Sequence, residues 1–234
     1  MTQLETTRVV EPSRFDRRSV DKFDARRNEL ADAALITLGE LGYARTSLRE
    51  IAQKTAFSHG VLHYYFRDKI ELITFCVRRY KAICVTRYDE VIAGAATAAA
   101  LADDFAEALV TTMREDFAMH RLWYDLRSQS TFEPDLRLTV AELDAQLEAM
   151  IGRVVQSYAA LSGGRPVVTP LLAYATFDGL FENCLVRHIG GDAGAAGELR
   201  AGARWLLGTV VQPARPQRVG AHRIPTVGEQ PPAG

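Results

Sequence analysis

The chain has 234 residues, 47% of them hydrophobic and 24% charged, which is enough apolar material for a core and excludes a wholly disordered chain. No stretch reaches the ~18 uninterrupted apolar residues of a membrane span, and the N-terminal MTQLETTRVVEPSRFDRRSV lacks the apolar run of a secretory signal, so a cytoplasmic protein with no membrane partner is expected. Net charge is −1, yet residues 1–81 hold 15 Lys and Arg against 11 Asp and Glu while the remainder hold 13 against 18, a polarity that supports a nucleic-acid motif only if one is present.

Residues 1–22 are polar, contain Pro12 and show no sustained apolar period, and are expected to form a flexible N-terminal arm. Its Arg14, Arg17, Arg18 and Lys22, interleaved with Asp16 and Asp21, are candidates for a minor groove or for a solvated surface. From about Phe23 a helix places Leu30, Ala34, Leu35, Leu38 and Leu41 on one face, and Gly42 follows as a left-handed stop. Ser47 and Glu50 then match a capping box, and Ser58 caps a further short helix after a turn of about three residues. Asp68 and Glu71 repeat the capping pattern at the head of a longer helix expected to run to about Ala93. Pro134 and Pro170, the latter preceded by Thr169, suit first helical positions and predict helices over 134–162 and 169–189, with Gly190-Gly191 as a stop and Asp192 opening the last helix. From Pro213 five prolines and several glycines predict a disordered tail. Almost no segment alternates with period two, so the expected class is all-α. The three cysteines, Cys76, Cys84 and Cys184, have neither metal nor disulfide spacing and are read as small core residues.

Two short helices joined by a tight turn have the spacing of a helix-turn-helix, whose second helix enters the major groove. In SHGVLHYYF, residues 58–66, Leu62 and Phe66 stand at i and i+4 and can hold the helix to its neighbours. His59, Gly60, Val61, His63, Tyr64 and Tyr65 are then left partly free. Gly60 offers a bare backbone to a base edge or phosphate, and the tyrosine hydroxyls, the capped helix starts at Ser47 and Ser58, and Lys69 suit phosphate contacts, which set register without reading sequence.

Residues 25–73, with TSLREIAQKTAFSHGVLHYYFRDKIELI at their centre, resemble the N-terminal DNA-binding domain of TetR-family transcriptional regulators. The resemblance rests on Gly42-Tyr43, Thr46-Ser47, Glu50-Ile51-Ala52, Ser58, Gly60, Leu62, Tyr65-Phe66 and Lys69. It implies base contacts from His59, Gly60 and Val61 and phosphate contacts from Ser47, Tyr64, Tyr65 and Lys69. His63 stands where the family often has tyrosine, Phe57 where valine is usual and Ala56 where glycine is common. The resemblance further implies a helical second half that encloses a small-molecule effector and dimerises through its last two helices, here LAYATFDGLFENCLVRHIGGD and ELRAGARWLLGTV. LWYDLRSQSTFEPDLR is similar to the choline-responsive repressor subgroup.

In that half Phe105, Met113, Phe117, Trp123, Tyr124 and Arg127 are candidates for an effector pocket, or for ordinary core. Asp116 and His120, at i and i+4, read as a surface pair in the absence of a third metal ligand. His188 suits the helix dipole or a dimer seam. The domain expectation is a helix-turn-helix domain over 23–70, a helical ligand-binding and dimerisation domain over 71–212 and the tail from 213. The function expected is a homodimeric, ligand-released repressor bound to a palindromic operator, with no cofactor, no metal and no catalysis. The alternatives are a ligand-independent activator or architectural factor, and an all-helical enzyme using Asp116, His120 and Tyr124, for which no nucleophile–base pair or phosphate loop is present.

Overall fold

A computed structural model describes residues 14–213. The chain runs α1 (Arg14–Leu41), α2 (Leu48–Lys54), α3 (His59–Tyr65), α4 (Lys69–Cys84), α5 (Asp89–Gly94), α6 (Ala98–Glu115), α7 (Phe117–Gln129), α8 (Pro134–Leu161), β1 (Gly164–Pro166), α9 (Pro170–Ile189), α10 (Ala195–Val210) and β2 (Val211–Pro213). The all-α class holds. None of the described helices is long and apolar enough to cross a membrane.

Side-chain caps fix five of the helix starts. The hydroxyls of Ser47, Ser58, Thr97 and Thr169 accept from the backbone N–H groups of Glu50, Val61, Ala100 and Leu172, and the Asp68 carboxylate accepts from Glu71. Each satisfies one of the donors that a helix leaves unpaired. The Glu71 carboxylate reaches back to the Arg67 N–H at 2.8 Å and also pairs with Arg27 of α1. Gly42 ends α1 at φ 76°, a conformation that glycine adopts without steric cost.

Four features differ from the expectations. α1 begins at Arg14 rather than near Phe23, so residues 14–22 of the supposed arm are helical; residues 1–13 lie outside the described residues. The helix from Asp68 ends at Cys84, and a turn over 85–88 separates it from α5, with Arg87 N–H donating to the Cys84 carbonyl at 3.1 Å. β1 and β2 form an antiparallel pair, Gly164 facing Pro213. A Cβ on Gly164 would lie 2.6 Å from the Gln212 carbonyl oxygen, so this pairing requires glycine. Pro213, expected to start the tail, is therefore in a strand; the tail beyond it lies outside the described residues.

The core is continuous. Leu30, Leu38, Ile51, Leu62, Phe66 and Leu72 close the N-terminal three helices onto α4, and Phe105, Trp123, Leu143, Phe177 and Leu207 continue it through the second half. α8 packs on α9, α10 lies against α6 and α9, and α1 touches both α4 and α7. All three cysteines are buried and free, as expected.

Candidate nucleic-acid interface and effector cavity

α2 and α3 are each seven residues long, too short to persist alone. They hold because Leu48, Ile51, Leu62 and Phe66 are buried together against α1 and α4. That anchoring decides the opposite face. Ser58, His59, Gly60, His63 and Tyr64 are exposed, with Tyr64 at 73%. Val61 and Tyr65 are half-buried. Tyr65 lies 4.8 Å, centroid to centroid, from Phe23 of α1, and His59 and His63 stack edge-on at 4.4 Å. Ser47 is exposed at the head of α2.

Lys69 sits differently. Its Nζ donates to the Tyr43 carbonyl at 3.0 Å and stands 3.9 Å from the centroid of the Tyr43 ring. Burial holds its pKa below the usual amine range, against the pull of Glu133, Asp125 and Glu50. One of its three donors is therefore engaged, leaving two for an outside acceptor. Two exposed arginines beside Ser47, Arg45 and Arg49, were missed in the sequence. Arg49 has no ion-pair partner among the described residues.

The second half contains a cavity of about 60 Å³ between α4, α6, α7, α8 and α9. Lys81, Tyr88, His120, Trp123, Tyr124, Tyr174 and Asp178 supply its polar groups and Phe177 and Phe181 much of its apolar wall. Of the expected pocket residues, Trp123 and Tyr124 line it. Phe105 is buried behind the wall, edge-on to Tyr88 at 5.0 Å and to Phe177 at 5.6 Å. Met113 is buried in the core away from the lining, and Phe117 is 41% exposed outside it. Arg127 lies on the outer side, bound to Asp178 and 3.4 Å from Asp144. The Tyr124 hydroxyl donates to Asp178 at 3.0 Å, and the Tyr174 hydroxyl to Asp144 at 2.6 Å.

The expected surface pair of Asp116 and His120 does not form. Asp116 pairs with Arg87 at 2.7 Å, while His120 is buried on the cavity wall with Nε2 3.2 Å from the Tyr80 hydroxyl. Burial, reinforced by Lys81 and Arg87, holds the His120 pKa well below its usual value, so the ring is neutral at pH 7. Asp116, His120 and Tyr124 thus each have separate partners, and no cluster of three potential metal ligands occurs among the described residues.

Opposite its cavity face, α7 grips the end of α1. Arg121 donates to the carbonyls of Gly39 and Glu40, and the Tyr43 N–H donates to Asp125 at 2.7 Å. Gly39 permits the approach, since a Cβ there would stand 3.1 Å from that of Ala118. Cavity and helix-turn-helix therefore share α4 and α7 as walls and supports.

Residues 30–74 match the family model described as bacterial regulatory proteins, tetR family. A stretch of 55 residues is 38% identical to the HTH-type transcriptional regulator BetI of Paraburkholderia xenovorans, covering 24% of this chain and 28% of that protein. The BetI of Cronobacter sakazakii is 29% identical over 118 residues, 47% of this chain and 56% of its own length. The chain thus matches only part of the length of these relatives. Among solved structures, a TetR transcription regulator from Haloarcula marismortui superposes with a TM-score of 0.66 at 17% identity, over 81% of this chain and 100% of that one. A transcriptional regulator from Saccharomonospora viridis in complex with choline gives 0.65 at 16% identity, over 81% and 99%. At those identities the superpositions show the fold alone, and the tetR-family match is confined to the helix-turn-helix segment, residues 30–74.

Proposed function

We propose that the chain is a cytoplasmic repressor that binds a palindromic operator as a homodimer, with one α3 of each subunit in successive major grooves, and that a small molecule in the cavity releases it. The observation that carries this reading is the division of α3, with Leu62 and the adjoining Phe66 fully buried while His59, Gly60, His63 and Tyr64 face outward. Two-fold symmetry of the protein would match two half-sites one helical turn apart.

A second copy has a surface to use. Leu171 and Leu172 at the start of α9, Val186 and Ile189 at its end, and Trp205 of α10 are exposed apolar side chains that a partner's same helices would cover. Release follows from linkage: a ligand that prefers a cavity shape incompatible with the operator-bound spacing weakens DNA binding by its differential affinity. α4 spans the two sites, since Lys69 at its start and Lys81 on the cavity wall are twelve residues apart, ~18 Å along the axis. The α7 clamp on Gly39, Glu40 and Tyr43 is a second connection.

The test is fluorescence anisotropy on duplexes enriched from a random pool by the full chain. Enrichment of a palindrome with salt-sensitive affinity supports the reading; no enrichment refutes it. Choline, bound by one fold neighbour, is the first effector the comparisons suggest, and the charge of this cavity opposes it.

A further inference from the structure

The cavity wall holds an excess of hydrogen-bond donors. Lys81 is 2% exposed and borders the cavity; it forms no ion pair within 4 Å among the described residues, and the carboxylates that favour its charge, Asp178 and Asp144, are paired elsewhere. It stands 4.7 Å from the centroid of the Trp123 ring. On that same ring Nε1 is buried with no partner. The nearby carboxylates are engaged: Asp178 by Tyr124 and Arg127, Asp144 by Tyr174 and Arg127. His120 is neutral and contributes no negative charge.

A buried ammonium without a partner is costly, and so is a buried N–H without an acceptor. Both side chains line the cavity, and an acceptor that arrives with the ligand would satisfy them. A cationic ligand meets the opposite situation. It would meet the Lys81 ammonium on the same wall, while the carboxylates of Asp178 and Asp144 are already paired with Tyr124, Tyr174 and Arg127.

Accepting the cavity as the effector site, we infer that its ligand is a small organic anion, a monocarboxylate with a short apolar or aromatic body. Its carboxylate accepts from Lys81 Nζ and Trp123 Nε1, and its body lies among Tyr88, Phe177 and Phe181.

The test is calorimetric titration of the full chain at pH 7 with benzoate, phenylacetate and hexanoate, against benzyl alcohol, benzylamine and choline. At least one carboxylate should bind roughly tenfold or more tighter than the matched alcohol and amine, as a charge-assisted hydrogen bond requires. Lys81→Met should remove that advantage while leaving the alcohol unchanged, and Trp123→Phe should weaken the carboxylate several-fold. Preference for benzylamine or choline, equal carboxylate binding by Lys81→Met, or no carboxylate binding by the wild type overturns the inference. The ranking of probes on the wild type stands whether or not either variant folds. Enrichment of duplexes is scored separately: a chain that prefers carboxylates but selects no DNA refutes the proposed function and not the ligand class, and one that selects a palindrome but prefers amines does the reverse.

Discussion

Replacing Lys81 by methionine should stabilise the ligand-free protein. Burial lowers the Lys81 pKa from 10.5 to about 8, with Cys84, Asp178 and Asp144 favouring the charged form and Arg87 opposing it. That displacement corresponds to about 3 kcal/mol disfavouring the ammonium in the fold. Because the folded-state pKa lies below the unfolded one, the penalty is complete below pH 8 and is relieved as pH rises toward 10.5. Methionine keeps an unbranched stem of similar length without the charge, and forfeits the contact with Trp123, about 1 kcal/mol. The net gain at pH 7 is about 2 kcal/mol, or roughly 4–8 °C in Tm for a chain of this length. Calorimetric melting at fixed protein concentration checks it, and the difference between wild type and variant should shrink between pH 8 and 10.5. A variant that melts lower than the wild type would show that the ammonium serves as counter-charge to Asp144 and Asp178, and the argument for an absent anion would fail.

Other outcomes follow from the same contacts. Lys69→Ala should weaken binding to every duplex alike and reduce the salt slope by about one, measured by anisotropy from low to moderate salt; an effect confined to one sequence would place Lys69 on a base instead. Asp125→Ala leaves the Tyr43 N–H without its acceptor, which should cost about 1–3 kcal/mol in denaturant melts and loosen α1 from α7; unchanged stability would remove the clamp. Trp205→Glu places a charge on a side chain that is 66% exposed in the single chain, so light scattering should report monomers with little loss of helicity. A dimer that survives this change would mean that α10 lies outside the interface.

The local features were legible because their causes are local. Ser47, Ser58, Asp68 and Thr169 cap the helices they were expected to cap, and Gly42 takes the left-handed conformation that stops α1. The spacing of Leu62 and Phe66 fixed which face of α3 is buried. Where the sequence misled, the cause is weak or distant. RFDRRSVDKF has no apolar period, so the first turns of α1 carry no amphipathic signal. The break after Cys84 falls in VTRY, which holds neither glycine nor proline. β1 and β2 are three residues each and pair across α9 and α10, a register that no short window contains. The cavity is assembled from five helices, so aromatic content alone could not separate Trp123 and Tyr124 on its wall from Phe105 behind it. Lys81 did leave a trace. Ile73, Val77 and Lys81 recur every four residues on a buried stripe, and a lysine there is the anomaly that marks the site.

The proposed function depends first on α3 as a rod whose exposed face reads duplex DNA. The most direct measurement is selection from a random duplex pool by the full chain, followed by anisotropy of the enriched sequence with wild type and His59→Ala. The expected result is a palindrome with half-sites about one helical turn apart, affinity that falls steeply with salt, and a loss of about 1–3 kcal/mol in discrimination at one base pair for the variant. Recovery of no common sequence, or a His59→Ala protein that binds and discriminates as the wild type does, would contradict it.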